Sequence, residues 1–211
     1  MSARAVSTHV ATSADAATVT TIITAAFESD PVWSWAFPDP VHRKRQMAVW
    51  WRFVIDAALR APWVWLTEGD EAAAVWIPPG ATELSDDEEA RAAELLAELV
   101  GGWSNTVIRG LERFSAAHPH DEPHYYLSLL GTHPSHRGGG FGMGLLAANL
   151  ARIDAEHAAA YLESSNPANN ARYERAGFVR RGEFSVVDGG PVVTTMWRDA
   201  RSLHVGDAHS A

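Results

Sequence analysis

Residues 133–144, HPSHRGGGFGMG, constrain the chain more than any other stretch: five of these twelve positions are glycine, and Arg137 stands directly before the first of them. Upstream, HYYLSLLGT (124–132) has the aromatic and aliphatic content of a strand, and downstream MGLLAANLARIDAEH (143–157) carries helix formers at helical spacing. A strand, a glycine turn and a helix start together make an anion site. Unpaired amides and the helix dipole converge there, and glycine lets a ligand approach the backbone closely. A phosphate-bearing ligand is expected.

Three kinds of loop meet that description. A P-loop needs a lysine directly after its glycines, and the only lysine in the chain is Lys44. The dinucleotide fingerprint is matched by Gly142-x-Gly144-x-x-Ala147, with Glu163 about 20 residues further on. That fingerprint begins at the strand end, however, and here LSLLGT stops roughly ten residues before Gly142. A dinucleotide-binding protein is therefore a distant alternative. Third, Arg137-Gly138-Gly139-Gly140-Phe141-Gly142 is similar to the R/Q-x-x-G-x-G/A pyrophosphate loop of the GNAT acyltransferases.

The flanking sequence sets the fold class. DAATVTTIITAAF (15–27) repeats apolar residues at helical spacing, with Ser13 available as a cap, whereas DPVWSWAFPDP (30–40), with three prolines, is expected to be an irregular loop. Residues 41–59 resume a helix. WVWLT (63–67) and AAAVWIPP (72–79) flank a turn and predict a hairpin. Ser85 and Glu88 stand in capping-box register ahead of a helix over 85–100 that stops at Gly101, and another helix is expected over 103–114. From 124 on, the order is strand, glycine loop, helix, strand (159–164), helix (around 168–176) and two strands within 178–187 and 191–198. This predicts one α/β domain of α+β type over 1–211: a mixed, mostly antiparallel sheet flanked by helices around a central βαβ unit. Residues 1–12 and 200–211 are expected to be flexible tails.

LLGTHPSHRGGGFG, followed by YLESSNPANNARYERAGF, resembles the paired motifs of the GNAT acyltransferase superfamily over most of the chain. Within it, the pattern from Leu162 to Phe178 and the early helical segment look most like the puromycin N-acetyltransferase branch. The resemblance implies a GNAT fold with acetyl-CoA as co-substrate. Leu130, Gly131 and Thr132 would offer main-chain groups to the pantetheine arm, and Arg137, Gly138, Gly139, Gly140, Phe141, Gly142 and Met143 would wrap the pyrophosphate. Asn166 or Asn169 would touch the same arm. It also implies a bulge in the 124–132 strand, with the Leu130 amide donating to the developing oxyanion, and it places Tyr173 where the family keeps its general acid.

Acetyl transfer to nitrogen needs a neutral amine and a proton for the departing thiolate. With no cysteine in the chain, covalent catalysis through a thiol is excluded, and direct attack in a ternary complex is the economical route. Glu163, at the end of AAYLES, is the candidate base. The alternatives are a core tyrosine packed beside Phe178 at 173, and a surface carboxylate or arginine partner at Glu163. His118, His120 and His124 fall in a proline-bearing connector and are read as ordinary loop residues rather than a metal site, with His124 an alternative base.

The formal charge of −9, from 17 basic and 26 acidic residues, argues against nucleic acid and favours cationic partners. No apolar run reaches membrane-spanning length, no export signal is visible, and cysteine is absent, so a cytoplasmic protein without membrane contact is expected. The functional expectation is acetylation of a small primary amine, such as an aminonucleoside-type antibiotic, with antibiotic resistance as the implied role. Acetylation of a peptide or protein amino terminus and a non-catalytic acyl-CoA-binding regulator are the alternatives, and a homodimer is left open.

Overall fold

The computed structural model describes residues 4–201. Its centre is a seven-stranded sheet in the order β1-β2-β3-β4-β5-β7-β6, comprising β1 (Thr8–Val10), β2 (Val64–Thr67), β3 (Ala72–Ile77), β4 (His124–Thr132), β5 (Ala159–Ser164), β6 (Val179–Ser185) and β7 (Val192–Arg198). Every neighbouring pair is antiparallel except β4 and β5. The mixed, mostly antiparallel α/β fold expected from the sequence is thus present.

Strand alternation sends two cores to opposite faces. Ala73, Val75 and Ile77 of β3 pack with α1 (Ala16–Phe27), α3 (Arg43–Ala58), α4 (Asp86–Val100) and α5 (Ser104–Ala117). Ala72, Ala74 and Trp76 face Leu145, Leu146, Leu150 and Ile153 of α6 (Phe141–Ala155). The buried Trp76 indole also donates to Asn149 Oδ1 at 3.1 Å, fixing α6 over β3. At the far end of that helix, Arg198 of β7 makes a two-pronged bond to Asp154 at 2.6 and 2.7 Å.

β4 does not keep its alternation. Trp76 pairs with Leu127 and Val75 with Leu129, so Ser128 is an extra residue, a β-bulge. The bulge reverses which face each later residue takes: Tyr125 and Leu127 lie in the α6 core, Leu129 in the α1 core. Pairing between β4 and β5 also ends there, at Leu127 opposite Leu162. Beyond it β4 is bonded only to β3, and alternate main-chain groups from Ser128 to Thr132 face a gap.

Three local expectations are corrected. Residues 8–10, placed in a flexible tail, form the edge strand β1, while residues 1–3 and 202–211 of the two expected tails lie outside the described residues. The first helical segment is capped by Thr12, not Ser13: Thr12 and Asp15 form a reciprocal capping box. The proline-rich stretch contains a helix, α2 (Pro31–Ala36), because Asp30 accepts from the amides of Val32 and Trp33 and Pro31 occupies the first turn, where its missing N–H costs nothing. The capping box at Ser85 and the stop at Gly101, where φ is +56°, are as expected.

Candidate active site

The gap between β4 and β5 opens into a cavity of about 1420 Å³. Leu130, Gly131 and Thr132 border it from β4, the loop from Arg137 to Met143 except Gly139 from one end, and Glu163, Asn166, Asn169 and Tyr173 from the β5 side. Gly139 instead directs its amide to the His136 carbonyl at 3.3 Å. The glycine loop and the candidate catalytic pair, far apart in sequence, therefore share one space.

The loop is built to receive an anion. Gly140, at φ +79°, precedes α6 without a side-chain cap, so the amides of Phe141, Gly142 and Met143 have no intrahelical acceptor. Gly138, at φ +83°, has open space where a Cβ would stand. Arg137 lines the cavity and donates to the Ala26 carbonyl at 2.9 Å, which holds its guanidinium beside the loop, while Arg4 stacks on the Phe141 ring at 4.2 Å and donates to the Gly139 carbonyl at 3.1 Å. Free amides, positive φ and the Arg137 guanidinium fit a pyrophosphate.

Not every glycine serves that purpose. A Cβ at Gly142 would collide with the Thr132 hydroxyl, one at Gly144 would lie 2.5 Å from the Arg4 carbonyl oxygen, and one at Gly131 would lie 2.9 Å from Ala26 Cβ. These three let β4, α6, α1 and the amino-terminal segment pack closely. Only Gly138 and Gly140 answer to the loop's own conformation.

Glu163 is more deeply held than a surface strand end. Its side chain is 2% exposed, and it accepts hydrogen bonds from the Tyr126 and Tyr161 hydroxyls at 2.8 and 3.0 Å. Burial raises its pKa to about 7, against the opposing pull of the two phenols. Tyr173, on α7 (Asn170–Arg175), packs its ring 6.2 Å from Phe178. Its hydroxyl makes no hydrogen bond to the described residues, and burial, helped by nearby Asp30, pushes its pKa up to about 12, so it keeps its proton. Asp30 itself is raised by burial and accepts from Ser165 at 2.8 Å, tying the start of α2 to the segment after β5.

Asn166 caps the turn at 167–169 by accepting from the Ala168 amide at 3.1 Å, and Asn169 accepts from Arg172 at 2.7 Å. Each keeps its amide NH₂ without a partner among the described residues.

The sequence reading took the histidines for ordinary loop residues, with His124 as an alternative base, and gave no part to His118. His118, in the connector after α5, places Nδ1 3.9 Å from Glu163 Oε1. His124 Nδ1 lies 2.6 Å from the Glu122 carbonyl, which can only accept, so that nitrogen carries a proton. In the singly protonated ring, Nε2 of His124 is left to accept from His118 Nε2, 3.2 Å away. The bare Nδ1 of His118 is thereby turned to Glu163. Burial lowers the His118 pKa to about 4, with His124 and His120 adding to it. Three residues paired with Glu163 at sequence distances of 2 to 45 could not be linked by any local motif.

The model of the acetyltransferase (GNAT) family matches residues 30–178. Among solved structures, the chain resembles one described as histone acetyltransferase HPA2 and related acetyltransferase from Corynebacterium glutamicum, at 22% identity and TM-score 0.67 over 96% of this chain and 100% of that one. A mosquito arylalkylamine N-acetyltransferase-like protein aligns at 14% identity and TM-score 0.60, covering 92% and 100%. The Drosophila melanogaster polyamine N-acetyltransferase, described as forming N-acetylagmatine, aligns at 16% and 0.57, covering 92% and 99%. At such identities these likenesses speak for the fold.

Proposed function

Because the chain belongs to the GNAT acetyltransferase family, we propose that it transfers acetyl from acetyl-CoA to the primary amine of a small molecule by direct attack. The observation that carries this reading is the meeting, in one cavity, of an uncapped helix start with a buried carboxylate of raised pKa. Small amines are also the acceptors named for the mosquito and Drosophila proteins.

Bound along the gap, acetyl-CoA supplies the acetyl thioester. The amides of the α6 start, with Arg137, hold its pyrophosphate, and main-chain groups of Leu130 and Thr132, on either side of Gly131, whose own groups pair with Ala73 of β3, hold its arm, with Asn166 and Asn169 opposite. The Leu130 amide donates to the acyl oxygen as negative charge develops there. Glu163, ionised above about pH 7, takes a proton from the acceptor's ammonium group, and the neutral amine so formed attacks the thioester. The proton then leaves for solvent past the half-buried His118, whose Nδ1 lies 3.9 Å from Glu163, which is itself closed off. Tyr173 keeps its phenolic proton for the departing sulfur.

The aminonucleoside acceptor and antibiotic-resistance role implied by the puromycin branch are one case within this class. The chain's −9 charge and the absence of a long apolar helix among the described residues accord with a cytoplasmic setting and a cationic acceptor.

The test is ligand discrimination. A ligand at about 100 times its Kd stabilises the native state by roughly 2.7 kcal/mol, a rise of about 5–10 °C in Tm for a chain of this size. Acetyl-CoA is expected to give such a rise and NAD none; the reverse pattern refutes the assignment.

A further inference from the structure

Among the carboxylates that line the cavity besides Glu163, Glu83 has no part in acetyl transfer. Glu83, on the segment between β3 and α4, accepts a hydrogen bond at Oε1 from the hydroxyl of Ser128, the bulge residue of β4. Its Oε2 has no hydrogen-bond partner, and no arginine or lysine pairs with it, among the described residues. The two arginines that reach the cavity, Arg137 and Arg172, belong to its loop end and are bonded to Ala26 and Asn169. Burial raises the pKa of Glu83, and its charge in turn helps raise that of Glu163, so the two carboxylates are within electrostatic reach of each other. A carboxylate withdrawn from water without a cation is unfavourable, and Glu83, which lines the cavity, has Oε2 left without a partner among the described residues.

The wall around them is apolar. Ile77, Leu129, Trp50 and Trp51 line the same cavity, and the indole N–H groups of both tryptophans are buried without an acceptor. Tyr126, which holds Glu163, and Ser128, which holds Glu83, stand two residues apart on β4. The two carboxylates are thus held from neighbouring positions of one strand, on the wall of one cavity.

We infer that Glu83 binds a second cationic group of the acceptor, so that the preferred substrates are α,ω-diamines or polyamines. One end reacts beside Glu163, the methylene chain lies against the apolar wall, and the far ammonium pairs with Glu83. This rests on the amine-acetylation reading above and adds a specificity-determining residue to it.

The experiment compares pentylamine with pentane-α,ω-diamine on the wild-type protein and on Glu83→Gln. Thiol release gives kcat/KM, and calorimetry on the CoA-saturated protein gives affinity without turnover. The wild type is expected to favour the diamine by about tenfold or more in both, mainly through KM, and Glu83→Gln to lose at least about tenfold of that preference. Equal values for the two amines in the wild type, or a preference kept in Glu83→Gln, overturns the inference. If Glu83→Gln does not fold, Ser128→Ala, which removes the hydroxyl that orients Glu83, is expected to weaken the preference and serves as the second variant. Thiol release without preference would leave the acetyltransferase reading standing and sink this one. Tight, Glu83-dependent diamine binding without thiol release would do the opposite.

Discussion

Replacing Glu163 by glutamine separates what this carboxylate does for chemistry from what it costs the fold. In the unfolded chain the group titrates near its ordinary 4.5, and in the folded protein near 7. Between those values the folded state binds more protons than the unfolded one, so stability falls as pH rises through the window and the loss is complete above it. A carboxyl held that far above its ordinary value lowers stability by roughly 3 kcal/mol once ionised. Glutamine keeps the shape and one acceptor oxygen for Tyr126 or Tyr161. At pH 8 Glu163→Gln is therefore expected to be more stable than the wild type by about 1–3 kcal/mol, a Tm gain of roughly 3–10 °C, and at pH 5 the gain should vanish. Thiol release should meanwhile fall by about 10²- to 10⁴-fold. Thermal melts at the two pH values, with acetyl-CoA binding measured alongside, decide it. A variant that is destabilised equally at both would show that Glu163 is neither desolvated nor poised as a base.

Three further outcomes follow from the geometry. Tyr173→Phe should lower turnover by about 10²- to 10⁴-fold with acetyl-CoA affinity nearly intact; lost affinity or a lowered Tm would assign Tyr173 to packing beside Phe178. Gly140→Val should weaken acetyl-CoA binding in a protein that still folds, whereas Gly142→Val, whose Cβ meets Thr132, should fail first in stability, read as soluble yield and Tm. His118→Phe keeps a ring against Tyr126 and Tyr161, 4.8 and 5.1 Å away, but removes the nitrogen facing Glu163. It should cut turnover by about tenfold and steepen its dependence on buffer concentration, and unchanged kinetics would mean that Glu163 exchanges its proton directly with water.

The sequence made some of this visible and hid the rest for physical reasons. Strands 124–132 and 159–164 were legible to the residue, because side-chain pattern and flanking turns agree there. The helix at Asp86–Val100 was legible through its cap. The strand Thr8–Val10 was not: three residues carry no period, and its position is set by pairing with β2. Three prolines outweighed the Asp30-Pro31 start signal that α2 in fact uses. In the site, the loop could be read because its chemistry is local. Glycines that serve packing, Gly131, Gly142 and Gly144, could not be told from glycines that serve the loop without seeing what stands opposite. His118 and Glu83 acquire meaning only through Glu163 and the bulge at Ser128, which are contacts made by the fold.

The central claim is best tested by following CoA thiol release against time with a panel of primary amines, together with a mass spectrum of the product. The account predicts release that depends on the amine, an acetylated amine in equal amount, a rate that climbs with pH through about 7 as Glu163 ionises, and loss of that rate in Glu163→Gln. Thiol release independent of any amine, or none with any of them from a protein that binds acetyl-CoA, would contradict it and leave a binding protein that kept the fold.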